Sequence, residues 1–203
     1  LNIFDIQSLL NTDVPLRSLL SQKASIEYIK SHIKYTWNWV ILTHRLCPIL
    51  KIETIGNETW ADKWDWTYIS SNRDIDDIMS YAVKYNTLWD WYAVIKRLDA
   101  DYLLKGEVLE TLSKAFIDLQ NHDELCSLIT QKFSTKELIE LTSFCSKREI
   151  FDWDYNTLYS RDDFSAKEYL EKHIEDVKWD AFSESESVNK LFSKTGKGKT
   201  GTD

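Results

Sequence analysis

Turn-forming residues are scarce in this 203-residue chain, which holds five glycines and two prolines. Gly56 and Gly106 are the only glycines before residue 195, and the prolines are Pro15 and Pro48. An all-β fold needs many more breakers, so the scarcity points to helices joined by short polar loops. Cysteine is sparse as well. Cys47, Cys126 and Cys145 are odd in number, lie far apart and form no C-x-x-C, a pattern of reduced thiols rather than of a disulfide frame or zinc site. Basic charge is in deficit: 25 Lys and Arg face 33 Asp and Glu, for a formal net charge of −8. A phosphate-binding surface needs a basic stripe, so nucleic acid is not an expected partner. No apolar run approaches the ~20 residues of a membrane span, and no signal-peptide segment opens the chain. A cytoplasmic protein without a membrane partner is therefore expected. Hydrophobic content of 43% and aromatic content of 13% argue against disorder.

What the chain does have is tryptophan. Eight of its nine fall into one recurring pattern: Trp37-Asn38-Trp39, Trp64-Asp65-Trp66, Trp89-Asp90-Trp91, Trp153-Asp154-Tyr155, and a worn copy in Val177-Lys178-Trp179. Three positions after the second aromatic stands an apolar residue: Leu42, Ile69, Val94, Leu158 or Phe182. Thr43, Ser70 and Ser183 follow in three copies. Successive second aromatics lie 27 (Trp39 to Trp66), 25 (Trp66 to Trp91) and 24 (Tyr155 to Trp179) residues apart, a length that suits two helices and two turns. Between Trp91 and Tyr155 one degenerate unit is expected, with Glu124 at the cap and Leu125 and Leu128 behind it.

Each unit has a physical logic. Asp65 stands where a helix N-cap belongs, and Asp5, Asn38, Asp90 and Asp154 share its column; a carboxylate or amide there accepts from free backbone N–H groups. Asp13, Asp74 and Asp163 are placed to cap a second helix in the same way. Ile75, Ile78, Met79, Ala82 and Val83 form an amphipathic stripe that predicts a helix of about ten residues. Ser134-Thr135-Lys136-Glu137 is a capping box. A helix over about 101–119 is laid out by Leu104, Val108, Leu112 and Phe116, with Gly106 costing it about 1 kcal/mol relative to Ala. Phe4-Asp5-Ile6 with Leu9 at one end, and Val188, Leu191 and Phe192 at the other, read as partial units, so an excerpt of a longer array is expected. The fold expected for 1–192 is all-α: stacked short helical hairpins, an α-solenoid-like array whose match is weakest over 92–150, with 193–203 as a flexible tail.

These residues resemble the tryptophan-rich repeats, about W-D-W-x-x-[LI]-S-x-N-x-x-[IV], of largely uncharacterised bacterial and large-virus proteins. Trp64 through Ile75 matches that pattern throughout. Trp153 through Phe164 departs from it, with Tyr159 in place of Ser and Arg161 in place of Asn. The resemblance implies a repeat scaffold and a role in recognition within multidomain proteins, and it carries over no catalytic residues.

The aromatics Trp37, Trp39, Trp64, Trp66, Trp89, Trp91, Trp153, Tyr155 and Trp179 are expected to be structural, since regular helical placement favours core packing over ligand stacking. Trp60 stands outside the columns, in a loop-like stretch. It is the candidate binding anchor, flanked by the acids Glu58 and Asp62, against the alternative that it packs on Trp64 one turn away. His32, His44, His122 and His173 form no i, i+4 pair and no H-E-x-x-H, so no metal or general base is expected. The runs Asp74-Ile75-Asp76-Asp77 and Asp162-Asp163 are explained by capping. Gly198-Lys199-Thr200 echoes a phosphate loop but lacks its first glycine and the strand and helix around it. No cofactor is expected. The expected function is non-enzymatic: an interaction or scaffolding module for a protein or neighbouring domain carrying basic patches, with the alternative of a helical accessory region of a nucleotide-dependent or hydrolytic enzyme.

Overall fold

A computed structural model describes residues 8, 11, 13–56, 59–105, 107–146, 151, 153–186, 188 and 189. It is 67% helix, and the described residues contain no strand. The chain divides into two compact units, Leu1–Val94 and Ile95–Asp203.

The first unit alternates two kinds of helix. Val14–Lys23 (α1), Trp39–Leu46 (α3) and Trp66–Asn72 (α5) each follow a capping residue, and Ile26–Ser31 (α2), Ile52–Ile55 (α4) and Ile75–Ser80 (α6) intervene. Trp91–Arg97 (α7) crosses the division. The caps are those the sequence predicts. The Asp13 side chain accepts from Leu16 N at 2.9 Å, Asn38 from Ile41 N at 3.2 Å, Asp65 from Tyr68 N at 2.9 Å and Asp90 from Ala93 N at 3.1 Å. Asp74 caps α6 through Asp76 N at 2.9 Å. These bonds satisfy N–H groups that have no partner inside their own helix. Asp5 lies outside the described residues.

The stripe through Val83 does not make one ten-residue helix. After Ser80 the chain tightens: Tyr81 N bonds to Ile78 O and Ala82 N to Met79 O, i to i−3 contacts that end α6. Ala82 is buried and Val83 is exposed. The turns that follow bring Tyr85 against Gly56, where a Cβ would meet the ring at 2.6 Å. A side chain at that position would have to displace the Tyr85 ring.

In the second unit come Ala100–Leu103 (α8), Glu107–Phe116 (α9), His122–Lys132 (α10), Thr135–Ser146 (α11), Tyr155–Tyr159 (α12), Ala166–His173 (α13) and Trp179–Glu184 (α14). The single helix expected over 101–119 is two, α8 and α9, separated at 104–106; Gly106 itself lies outside the described residues. Asn121, not Glu124, holds the N-cap position of α10, and Glu124 sits in the first turn. The capping box forms: Ser134 N donates to Glu137 Oε2 at 2.8 Å and Glu137 N to Ser134 Oγ at 3.4 Å. Asp163 does not cap α13. Ser165 does, accepting from Glu168 N at 3.4 Å, while Asp163 accepts a hydrogen bond from Thr135 Oγ1. Phe4, Asp5, Ile6, Leu9, Leu191 and Phe192 of the partial units, and the tail at 193–203, lie outside the described residues.

The core follows the columns. Leu42, Ile69, Val94, Leu158 and Phe182 are all buried. The aromatic pairs divide in a way that the spacing alone does not predict. The first members Trp37, Trp64, Trp89, Trp153 and Val177 are all buried. Among the second members Trp91 is buried, Trp39, Trp66 and Tyr155 are half-buried, and Trp179 is exposed. Trp66, Trp91 and Tyr155 are thus mostly covered, as structural aromatics should be, whereas Trp179, grouped with them by its spacing, is the exposed one. The second ring lies over the next unit's first ring: Trp39 on Trp64 at 5.3 Å and Trp66 on Trp89 at 5.0 Å, both edge to face.

Candidate interaction surface

One hydrogen bond recurs at the start of the aromatic–cap–aromatic helices. A buried hydroxyl near the end of one helix accepts the backbone N–H of the cap residue that opens the next. In the first unit the pairs are Ser21 Oγ with Asn38 N at 2.9 Å, Thr43 Oγ1 with Asp65 N at 3.0 Å, and Ser70 Oγ with Asp90 N at 2.9 Å. In the second they are Thr130 Oγ1 with Asp154 N at 3.2 Å and Tyr159 Oη with Lys178 N at 3.3 Å. Ser21, Thr43 and Ser70 have no exposed surface. The same hydroxyls face back into their own helices, Thr43 donating to Trp39 O at 2.7 Å and Thr130 to Cys126 O at 2.9 Å. Buried polar atoms are thus used on both sides.

A cation reinforces the same junctions. The Arg45 Nη2 donates to Ala24 O at 2.6 Å, and Arg73 Nη1 reaches Cys47 O at 2.7 Å and Leu50 O at 2.9 Å. In the second unit Lys132 Nζ donates to Ile95 O and Lys96 O at 2.8 Å each, and Arg161 to Thr130 O and Phe133 O at 2.6 Å each. Each side chain neutralises carbonyls at a preceding helix end, where the backbone has no further N–H to offer. Arg161 stands where the repeat pattern has Asn, and Tyr159 where it has Ser. Tyr159 carries the hydroxyl role on a longer arm. Its ring is fully buried against Phe164, Tyr169 and Phe182, and burial pushes its phenol pKa up.

The predicted anchor is not at the surface. Trp60 is 4% exposed. Its Nε1 donates to Thr54 O at 2.8 Å, and its ring packs edge-on to Trp64 at 6.1 Å and Trp39 at 6.3 Å. The 3₁₀ turn Ala61–Lys63 folds it back over Trp64, because an indole of that size is stabilised far more by two aromatic neighbours than by water. Asp62 is exposed, and Glu58 lies outside the described residues. The three side chains therefore do not form an exposed tryptophan anchor with acidic flanks.

Two polar constellations escape sequence reasoning because their members lie on different elements or at unremarkable spacing. A groove of about 600 Å³ runs between α11 and α13, lined by Lys136, Glu140, Glu168, Lys172 and His173 among others. Near it Ser143 Oγ donates to Asp176 Oδ2 at 2.8 Å and lies 3.0 Å from His173 Nδ1, with His173 and Asp176 3.6 Å apart. In a nucleophilic triad the imidazole bridges the hydroxyl and the carboxylate. Here the hydroxyl is the bridge, its proton directed to Asp176, and the cluster ties α11 to the 3₁₀ turn Ile174–Asp176. On α10, Cys126 Sγ lies 3.8 Å from His122 Nε2 one helical turn away, and the thiol is buried. Among the described residues no group of three or more His, Cys, Asp or Glu could hold a metal ion, and no helix is long and apolar enough to cross a membrane.

What reaches solvent from the repeated helices is a pair of outer columns. The residue after the second aromatic is exposed in every copy: Val40, Thr67, Tyr92, Asn156 and Asp180. Four positions on, one turn along the same face, His44, Ser71, Lys96, Ser160 and Glu184 are exposed as well. Inner positions repeat in kind, whereas outer positions vary in size, polarity and charge. No protein-family model, curated protein or solved structure matches this chain.

Proposed function

We propose that the chain is a non-enzymatic interaction or scaffolding module, an array of stacked helical hairpins, each compact unit of which presents its outer-column residues to another protein or domain. The observation that carries this reading is the division of labour among the positions of the repeated helices, most complete in Trp39–Leu46 and Trp66–Asn72. First aromatic, cap, third-position aliphatic and hydroxyl are used for stacking one helix on the next. The outer columns stay exposed and their chemistry changes from copy to copy, although His44 also stacks on Tyr68 of the next helix at 3.8 Å. A repeat whose interior is conserved in kind while its outer ridge varies is built to hold different contacts along one surface. The likeness to tryptophan-rich repeats agrees with this reading. Val40 and Tyr92 offer apolar contact on the first unit, and Asp180 and Glu184 give the last helix of the second an acidic ridge. Partners with basic patches are the complement, and their capture weakens as salt screens the attraction.

The experiment is affinity capture at two salt concentrations with wild type, Val40→Asp/Tyr92→Asp and Asp180→Lys/Glu184→Lys, all checked for equal thermal stability. The first pair of changes lowers capture at both salts, and the second removes the salt dependence. Partners retained by all three proteins alike would refute an outer-face site.

A further inference from the structure

Trp39 and Trp66 are each roofed by the repeat that follows, but Trp179 is not. Trp39 and Trp66 are half-buried beneath Trp64 and Trp89, whereas Trp179 is 56% exposed. Its helix keeps the later positions of the pattern, although Val177 stands for the first aromatic and Lys178 makes no side-chain cap bond. Phe182, three positions on, is buried, and Ser183 occupies the hydroxyl column. Ser183 Oγ donates to Asp180 O at 2.9 Å, one turn back in its own helix, as Thr43 and Thr130 do in theirs. The difference is that Thr43 and Thr130 are buried while accepting the cap N–H of the next helix, and Ser183 is exposed. An edge-on indole seat and a hydroxyl acceptor thus stand together on the solvent side of α14, in the register that the earlier helices use for stacking.

We infer that the Trp179–Ser183 face of α14 is an open stacking site, and that its occupant is a further helical unit of the same aromatic–cap–aromatic type supplied by another polypeptide segment. This rests on the repeat reading above and extends it to a specific partner. The occupant brings a first-column aromatic to lie edge-on against Trp179 and a cap residue whose backbone N–H is donated to Ser183 Oγ. A second copy of this chain is a poor source, since its own first-column aromatics Trp37, Trp64, Trp89 and Trp153 are already buried. An exposed indole and a preformed acceptor one turn apart specify the geometry of what docks: aromatic edge and N–H donor on adjacent residues, as in Trp64-Asp65 against Trp39 and Thr43.

The test extends the full chain at its C-terminus with a second copy of residues 60–88 and follows Trp179 by hydroxyl-radical footprinting and 179–186 by amide exchange. Docking lowers the oxidation of Trp179 to that of a half-buried indole and slows exchange across 179–186 by about tenfold or more. Both effects vanish when the appended copy carries Trp64→Ala or the chain carries Ser183→Ala. Unchanged oxidation in the extended protein would overturn the inference, as would protection that survives either substitution. Concentration-dependent protection of Trp179 in the unextended chain would also overturn it, by showing that a second copy is the occupant. An internal junction serves as the control: Thr43→Val leaving Asp65 exchange unaltered defeats the repeat reading itself, whereas an intact internal junction beside an undocked appended unit defeats only the open site.

Discussion

Replacing Thr43 with valine removes one oxygen and little else. The two side chains have nearly the same shape and are both β-branched, so α3 keeps its packing. The site has no exposed surface, so no water can take the oxygen's place without opening the junction. Two bonds are lost: the Asp65 N–H acceptor at 3.0 Å and the donation to Trp39 O at 2.7 Å. The carbonyl loses a supplementary partner, at small cost. The amide loses a partner at the first turn of α5, where no helical carbonyl is in reach. An unsatisfied buried donor costs about 1–3 kcal/mol, so Thr43→Val should destabilise the first unit by about that amount. The control is Thr67→Val on the exposed column, which should stay within about 0.5 kcal/mol. Urea unfolding followed by tryptophan fluorescence gives the stability, and the exchange rate of the Asp65 amide reads the bond itself. If Thr43→Val matched Thr67→Val in both measurements, the buried hydroxyl would not be a fastening between helices, and the argument from its recurrence would fall.

Trp64→Ala should cost about 3–5 kcal/mol, as for a core aromatic, and Trp66→Ala clearly less because its ring is only half-buried; chemical denaturation of the pair checks the order. Arg161→Met strips the carbonyls of Thr130 and Phe133 of a charged donor and should lower the stability of the second unit by about 1–3 kcal/mol; recovery in Arg161→Lys should be incomplete, since an ammonium lacks the planar fork that spans both oxygens. Burial pushes the Asp154 carboxyl up, but hydrogen bonds from the Thr157 side chain and backbone, with Ser127 and Asn156, outweigh it and hold it below its ordinary value. A depressed carboxylate stabilises the fold above its unfolded pKa, and that contribution is lost as pH falls through the folded value. Asp154→Asn should therefore flatten the acid limb of a melting-temperature profile below about pH 5. Cys47 is buried, and burial raises its thiol pKa against the pull of Arg73, so native protein at pH 8 should leave it unlabelled by a thiol reagent that reacts at once in urea.

The sequence by itself determined which residues start helices and which face inward. Asp13, Asn38, Asp65, Asp74, Asp90 and Asp154 cap their helices as read, because capping needs only the cap residue and the next turn, both local in sequence. Leu42, Ile69, Val94, Leu158 and Phe182 are buried as read, since three-residue spacing fixes the face they share with the aromatic before them. Other readings failed where the deciding partner is distant. Asp163 is drawn away from capping by Thr135, and the stripe through Val83 is cut short by turns that seat Tyr85 on Gly56. Trp60 looked like a surface anchor because it breaks the columns, yet two indoles 6.1 and 6.3 Å away accept it into the core. The hydroxyls after the aliphatic column were visible as a recurring Thr or Ser, but nothing in one chain's spelling says that Thr43 meets an amide 22 residues later. Nor could spacing alone tell which aromatic of each pair lies deeper. That depends on whether another unit covers the ring, and coverage is a property of stacked helices in three dimensions, absent from the order of residues along any one of them.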